Sequence, residues 1–263
     1  MFSPRVTRIA ILTATGALLV IAAWELAFLW PYVGAQQAIG TDHTFYVSIA
    51  RRWLETGQYY LPHQLTGPYV VQTDVDNLYP PISLLLFVPF VWLPYPLWWI
   101  VPGLIVAGAI RRLRPARWTW PLLAFAVAWP SGISSVIYGN SNIWIVAFVA
   151  AGLVSGWPAV MALIKPSLGF FALIGIRSRT WWIAAAVLLA ISLPLLPLWF
   201  DYLAAMRNSS AAWYYSLGNL PALMGPIWAW LGRREGGLQT LGELRQIRRP
   251  AWCSAGRRPG TQP

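Results

Sequence analysis

The run from Ile9 to Trp30 does most to limit what this chain can become. It holds roughly 22 residues, close to the ~20 apolar residues that cross a bilayer's hydrocarbon as a helix, and its one ionisable side chain is Glu25. The run is too long for a typical signal-peptide core and lacks a small-residue cleavage site. It reads as a retained first helix, with Arg5 and Arg8 holding its N-terminus in the cytoplasm. Glu25 sits near the outer end, where a carboxylate reaches the interface; a buried acid in a span is otherwise functional by default.

Similar runs recur, and composition explains why they cannot be core helices of a soluble domain. Of the 263 residues 57% are hydrophobic and only 10% charged, whereas soluble domains carry about a quarter charged residues. The fold class expected is all-α: a polytopic transmembrane helical bundle with an interfacial helix in its first outer loop and with broken helices. The 18 Trp and 11 Tyr suit interfacial belts. The net charge of +11 lies in short loops and the C-terminal tail, which marks topology and attraction to membrane lipids, not a nucleic-acid surface. Cys253 is the only cysteine, so an intramolecular disulfide and a multi-cysteine metal site are excluded.

Residues 31–78 form the longest polar stretch and are expected outside. Within them Phe45, Tyr46, Ile49, Ala50, Trp53 and Leu54 recur at helical spacing, with His43, Thr44, Ser48, Arg51, Arg52 and Glu55 opposite. Gly57 is the stop. An aromatic face backed by arginines predicts a helix lying in the interface, with Asp42 at its start. Asp42 then has two readings, a helix N-cap contributing about 1 kcal/mol or a carboxylate at the rim within reach of a lipid-borne substrate. Asp74 and Asp76 offer oxygen ligands for a divalent metal, but solvated loop acids are commoner, and no metal is assigned.

From Tyr79-Pro80-Pro81 to Ile110, prolines at 89, 94 and 96 divide the apolar sequence into two short helices joined at Leu93–Pro96. Arg111, Arg112, Arg114 and Arg117 follow and belong in the cytoplasm; either one short helix is re-entrant or the charge rule is broken here. Trp118–Tyr138 reads as a span ending at Gly139-Asn140-Ser141-Asn142, and residues 143–155 return the chain. Lys165, the only lysine, interrupts apolar sequence and is followed by Pro166. A broken helix with a cation at the break suits an anionic group at that depth; the rival reading is a snorkelling lysine. Trp181–Phe200 is a clear span and Trp213–Leu231 a weaker one. Residues 1–231 thus make the membrane domain, and 232–263 a basic tail without periodicity, expected to be disordered. Asn208-Ser209-Ser210 matches a glycosylation sequon of little weight. The chain carries no internal repeat, no Gly-rich phosphate loop and no nucleophile elbow.

Taken in order, Asp42 with Tyr46 and Ala50, the turn from Gly57 to Tyr60, Tyr79-Pro80-Pro81 with Pro89 and Leu93-Pro94, Gly139 with Asn142, and Lys165-Pro166 resemble the C-type membrane glycosyltransferases. In particular they resemble glycosyltransferase family 87, the polyprenol-phosphate-mannose-dependent mannosyltransferases. The likeness spans residues 40–180. Asn140 stands where that family more often has Gln, and family members are considerably longer, with further spans beyond the point where this chain turns basic.

The resemblance implies a multi-pass enzyme of a bacterial inner (plasma) membrane. It would move a hexose, mannose in the family, from a polyprenol-phosphate donor to a hydroxyl of a glycolipid or glycan acceptor on the outer face, by inverting displacement and without a cofactor. Asp42 would be the catalytic base. Lys165, and with it Arg51 or Arg52, would neutralise the lipid phosphate; Tyr46, Tyr79, Asn140 and Asn142 complete the substrate site. Two alternatives stand beside it: a shortened, non-catalytic membrane remnant, and a lipid or sugar transporter or flippase.

Overall fold

The computed structural model describes residues 4–35, 39–72, 74–211 and 215–233. Among them the chain is helical throughout; no strand forms, and β-pairing is limited to isolated bridges, Tyr69 with Ser209 and Pro115 with Arg233. The helices are α1 (Pro4–Ala35), α2 (Thr41–Thr56), α3 (Pro62–Thr66), α4 (Leu84–Phe87), α5 (Leu97–Leu113) and α6 (Trp120–Val127). They continue with α7 (Pro130–Tyr138), α8 (Asn142–Ser155), α9 (Arg179–Ser192), α10 (Leu196–Asn208), α11 (Leu220–Leu223) and α12 (Gly225–Leu231).

Two helical stretches are long and apolar enough to cross a membrane, Pro4–Pro31 and Arg179–Asn208; a third counts if a bent pair is one span. That is fewer full-length spans than the sequence predicts, and proline is the reason. The expected span Trp118–Tyr138 is bent by 60° between residues 117–127 and 130–138, because Pro130 drives Trp129 out of helical geometry to ψ 125°. The weak span expected over 213–231 is cut into α11 and α12, with Pro221 and Pro226 at their first turns, and residues 212–214 lie outside the described residues. Of the tail, Gly232 and Arg233 are pinned, Ala116 N–H donating to the Gly232 carbonyl at 2.7 Å; residues 234–263 lie outside the described residues.

Contacts sort the helix termini into two ends. At one, Gly40 N–H donates to the Ile137 carbonyl at 2.9 Å and the Tyr95 hydroxyl to the Ile39 carbonyl at 3.1 Å. The start of α5 and the last turn of α7 therefore meet the start of α2. At the other, Leu113, Leu123 and Ala229 pack with Ile110 and Val154, and Arg8 and Arg117 border one groove. Helices α5 and α8 run side by side from the first end to the second, and the main core fills the space between them and the segments that fold back against them.

Two such segments matter. Residues 81–91 form a short 3₁₀–α–3₁₀ stretch that runs back along α2, with Leu84 in the cluster of Ile49, Phe87 stacked on Tyr46 and Phe90 edge-on to His43. Residues 157–164 and 166–173 are two 3₁₀ limbs, each about 16 Å long at 2.0 Å per residue. Their base is at the opposite end, where Thr180 Oγ1 donates to the Ser155 carbonyl and the Trp181 indole to the Ala172 carbonyl. Lys165 is the apex, with φ −129° and ψ 89°. The break that the sequence predicts at Lys165-Pro166 is thus the tip of a hairpin whose limbs are 3₁₀ rather than α-helical.

Candidate functional site

Helix α2 brings Asp42 to the site, but not as its cap. The N-cap is Gly40, held at φ 72°, where a Cβ would collide with the Tyr95 hydroxyl. Asp42 is in the first turn, and its Oδ2 accepts a hydrogen bond from Asn140 Nδ2 at 2.6 Å. The N-cap reading is therefore replaced by a tertiary one. Gly57 ends the helix as expected, at φ 75° with its N–H on the Trp53 carbonyl.

Asn140 follows Gly139, which ends α7 at φ 70°; a Cβ there would lie 2.8 Å from the Trp99 ring, so glycine is required. The Gly139 carbonyl accepts from the Trp98 indole at 2.7 Å, and the Val136 carbonyl from Trp99 at 2.7 Å. Two tryptophans from the start of α5 thus hold the turn that carries Asn140.

The amide of Asn140 works in both directions. Its Nδ2 donates to Asp42, and its Oδ1 accepts from Lys165 Nζ at 3.2 Å and from the Asn142 N–H at 3.0 Å. Lys165 Nζ also donates to Asn142 Oδ1 at 2.8 Å, and Asn142 Nδ2 reaches Ser135 Oγ at 3.2 Å. An acid, two amides and a buried lysine thus form one connected chain. Lys165 is only 3% exposed, so fixed dipoles of the protein, not solvent, surround its ammonium. Hydrogen bonds to charged groups are the stronger kind, about 1.5–3 kcal/mol each.

A second chain runs beside the first. Tyr46 and Tyr79 share a hydrogen bond at 2.8 Å, and the Tyr79 hydroxyl meets Ser141 Oγ at 2.8 Å. Lys165 Nζ lies 5.7 Å from the centre of the Tyr79 ring, within cation–π range. Tyr79 is itself held through its carbonyl, which accepts from the Tyr60 hydroxyl at 2.6 Å.

Burial raises the Asp42 pKa above the ordinary carboxylate value; the Asn140 hydrogen bond and the Lys165 charge oppose that rise, and the Asp74 charge adds to it. The Tyr46 hydroxyl is driven far up by burial, with Asp42 adding to the effect, so it stays protonated at any physiological pH.

Six of the residues singled out from the sequence meet here: Asp42, Tyr46, Tyr79, Asn140, Asn142 and Lys165. Arg51 and Arg52 do not join them. They lie nine and ten residues further along α2 than Asp42, about 14–15 Å away along its axis. Arg51 faces solvent, and Arg52 donates to the Gln58 and Tyr59 carbonyls, tying down the loop after α2. Asp76 is also occupied, accepting from His63 Nε2 at 2.7 Å and from the Gln72 N–H at 2.8 Å. Among the described residues no group of three or more His, Cys, Asp or Glu side chains is arranged to hold a metal ion.

Three contributors are not visible as such in the sequence. Ser141 completes the tyrosine chain, and its place between Asn140 and Asn142 is the available signal. Trp98 sets Gly139 but is one tryptophan among 18. His43 falls on the polar face by helical spacing, yet it is 5% exposed in a box of Phe90, Tyr95, Trp98 and Trp99, with ring centroids 4.9–6.0 Å away. Neither of its nitrogens has a hydrogen-bond partner.

A cavity of about 700 Å³ adjoins the site. Its walls are almost wholly apolar, from Ala22, Ala23 and Leu26 of α1 to Gly103, Val106 and Ala107 of α5, and Ser135 and Asn142 are among its few polar residues. Comparison with known protein families, with characterised proteins and with solved structures finds no match to this chain.

Proposed function

We propose that this protein is a membrane-embedded glycosyltransferase that takes a hexose from a polyprenol-phosphate donor. The observation that carries this reading is the bridge Asp42–Asn140–Lys165, a base candidate and a cation held by one amide, with Asn142 linking the lysine to the wall of an apolar cavity. A lipid phosphate needs a cation in a desolvated setting, an isoprenoid tail needs an apolar channel, and an acceptor hydroxyl needs a proton acceptor. Asn142 belongs both to the lysine's hydrogen-bond set and to the cavity wall, which joins the first two requirements.

In the reaction the acceptor oxygen attacks the anomeric carbon from the face opposite the phosphate. The carbon–oxygen bond to the phosphate breaks, the configuration inverts, and the acceptor proton passes to a carboxylate oxygen of Asp42. The polyprenyl phosphate leaves as an anion stabilised by Lys165. That the sugar is mannose, the lipid a polyprenol and the acceptor a glycan rests on the resemblance of residues 40–180 to family 87.

The full multi-pass arrangement in a bacterial plasma membrane belongs to the same proposal. Helix α1, helix α5, the bent pair α6–α7, helix α8, the continuous α9–α10 and the broken stretch α11–α12 would each cross, the last returning the chain to the end where Gly232 meets Ala116. Residues 81–91 would be re-entrant from outside and 157–173 re-entrant from inside. Arg8, Arg111, Arg112, Arg114, Arg117, Arg177 and Arg179 then share the cytoplasmic side, as the charge rule asks. Of the two possibilities in the sequence, a re-entrant 81–91 is the one this arrangement favours. Loop 31–78 lies outside; the Tyr69 N–H bonded to the Asn208 carbonyl at the far end of α10 supports this.

The test is sugar transfer from a polyprenol-phosphate-linked hexose by membranes carrying wild type or Asp42→Asn at equal abundance. The amide keeps the shape and cannot take the proton, so transfer should disappear. Retention of more than about a tenth of the activity removes Asp42 as base.

One observation favours a second reading. The folded-back segments 81–91 and 157–173, re-entrant from opposite sides in the proposed arrangement, would resemble the broken elements of transporters. A flippase would move fluorescent lipid phosphate across vesicles with Asp42→Asn as well as with wild type; the transferase would not.

A further inference from the structure

We infer that the groove between α1 and α6 at the end distant from Asp42 binds the headgroup and upper chain of an anionic phospholipid. The groove encloses about 390 Å³ and is lined by Arg8, Ile11, Leu12, Thr15, Arg117 and Trp120. The first four fall at i, i+3, i+4 and i+7 on one face of α1. Arg117 and Trp120, three residues apart, come from the 3₁₀ turn and first residue that open α6.

Its chemistry is divided in the manner of a phospholipid. Thr15 Oγ1 donates to the Ile11 carbonyl at 2.7 Å, so the hydroxyl is spent within its own helix. The charged side chains of the lining are two guanidiniums, both exposed to solvent at the rim. Below them the lining is Ile11, Leu12 and the Trp120 ring. Two planar forks over an apolar slot suit a phosphodiester with its first chain carbons beneath, because guanidinium matches phosphate oxygens two at a time.

The depth agrees. Arg8 is one turn into α1, immediately before the apolar run begins at Ile9, which is headgroup level for a helix that spans. Trp118 and Trp120, 51% and 44% exposed, sit where indoles favour the interface. The field around the groove has one sign. Arg5, Arg111, Arg112 and Arg114 lie close in sequence to its two arginines, while the one acid of α1, Glu25, is about 25 Å along the axis from Arg8. Arg233 shows the contrast: its guanidinium bonds the Trp230 carbonyl at 3.0 Å and covers the Trp230 ring at 4.3 Å. Basic sites between helices on the cytoplasmic side are the recognised setting for anionic headgroups.

The experiment is a titration of the purified full chain with phosphatidylglycerol and, separately, phosphatidylcholine, followed by native mass spectrometry. Wild type should hold one phosphatidylglycerol about tenfold more tightly than phosphatidylcholine. Arg8→Gln with Arg117→Gln should abolish that preference and leave phosphatidylcholine binding unchanged. Arg177→Gln with Arg179→Gln removes equal charge elsewhere and should leave the preference within about twofold, well under the ~1.4 kcal/mol of a tenfold change. Leu12→Trp, which fills the slot without touching charge, should also reduce phosphatidylglycerol binding about tenfold; this variant keeps the test decisive if the arginine pair fails to fold. Equal loss in the two arginine pairs would reduce the site to general attraction. Displacement of the lipid by millimolar inorganic phosphate would make it a phosphate site, and normal binding by Leu12→Trp would remove the chain from it. Each of these three results overturns the inference.

Discussion

Asn140 donates to Asp42 at 2.6 Å across 98 residues of sequence, and the same amide accepts from Lys165. Any protonation of the acid is therefore felt at the lysine, and anything that draws the lysine toward an anion changes the setting of the acid. An amide suits this position because it alone among uncharged side chains offers two donors and a carbonyl acceptor on one rigid plane.

The first consequence is a pH effect with a definite sign. The Asn140 hydrogen bond lowers the Asp42 pKa against the upward push of burial. Asn140→Leu removes that bond, so the carboxylate should gain its proton at a higher pH than in wild type. If Asp42 is the base, the acid limb of the pH–rate profile moves to higher pH in Asn140→Leu. Asn140→Gln, which restores an amide, should move it less. An acid limb unchanged in Asn140→Leu would mean that another group sets it.

His43 gives a prediction about stability. Burial lowers its pKa below 6.5, so the folded chain takes up the ring's proton at a lower pH than the unfolded chain does. The unfolded chain takes up a proton near pH 6.5, and the stability tied to His43 is present above that value and declines as pH falls through it. His43→Phe keeps a ring in the aromatic box and removes two unpartnered nitrogens, each a cost when buried. Its melting temperature in detergent at about pH 7.5 should equal or exceed that of wild type, and the advantage should grow as pH falls from about 6.5 to about 5. A variant that melts lower at every pH would mean the nitrogens have a structural partner.

The arrangement of ends predicts which residues share a side. Arg179 and Asn208 bound one continuous helical stretch, whose 30 residues extend about 45 Å, so Arg177 and Arg179 should be cytoplasmic and loop 31–78 external. On a Cys253→Ser background, a membrane-impermeant thiol reagent applied to intact cells should label Thr66→Cys and spare Ser178→Cys. Labelling of position 178 from outside would reverse the topology.

The sequence exposes what is local and conceals what is distant. Helix α2 and its stop at Gly57 are legible because apolar spacing and a terminal glycine act within a few turns. The break at Lys165-Pro166 is legible because a charge and a helix breaker at adjacent positions both oppose an uninterrupted apolar helix. That the limbs there are 3₁₀ is not, since it depends on how the hairpin packs against α8. The 60° bend before α7 has a signal in Trp129-Pro130, but the apolar run conceals it. The role of Asp42 cannot be read locally: a first-turn aspartate suggests a cap, and only the fold brings Asn140 to it. His43 misleads for the same reason. Helical spacing puts it opposite the aromatic face of α2, while Phe90 and the start of α5 close over it with four rings from a distant part of the chain.

Lys165 carries the central claim, that this site holds a lipid phosphate. Lys165→Met keeps the length of the side chain, loses the charge and leaves Asn140 bonded to Asp42. The direct measurement is equilibrium binding of a polyprenol-phosphate-linked hexose to the purified protein. Lys165→Met should bind at least about tenfold more weakly than wild type, a loss of ~1.4 kcal/mol, with folded protein recovered in normal yield. Lys165→Arg should retain part of the affinity, because a phosphate accepts either cation although the fork differs in shape. Unchanged binding by Lys165→Met would contradict the account and return the lysine to a structural role at the tip of its hairpin.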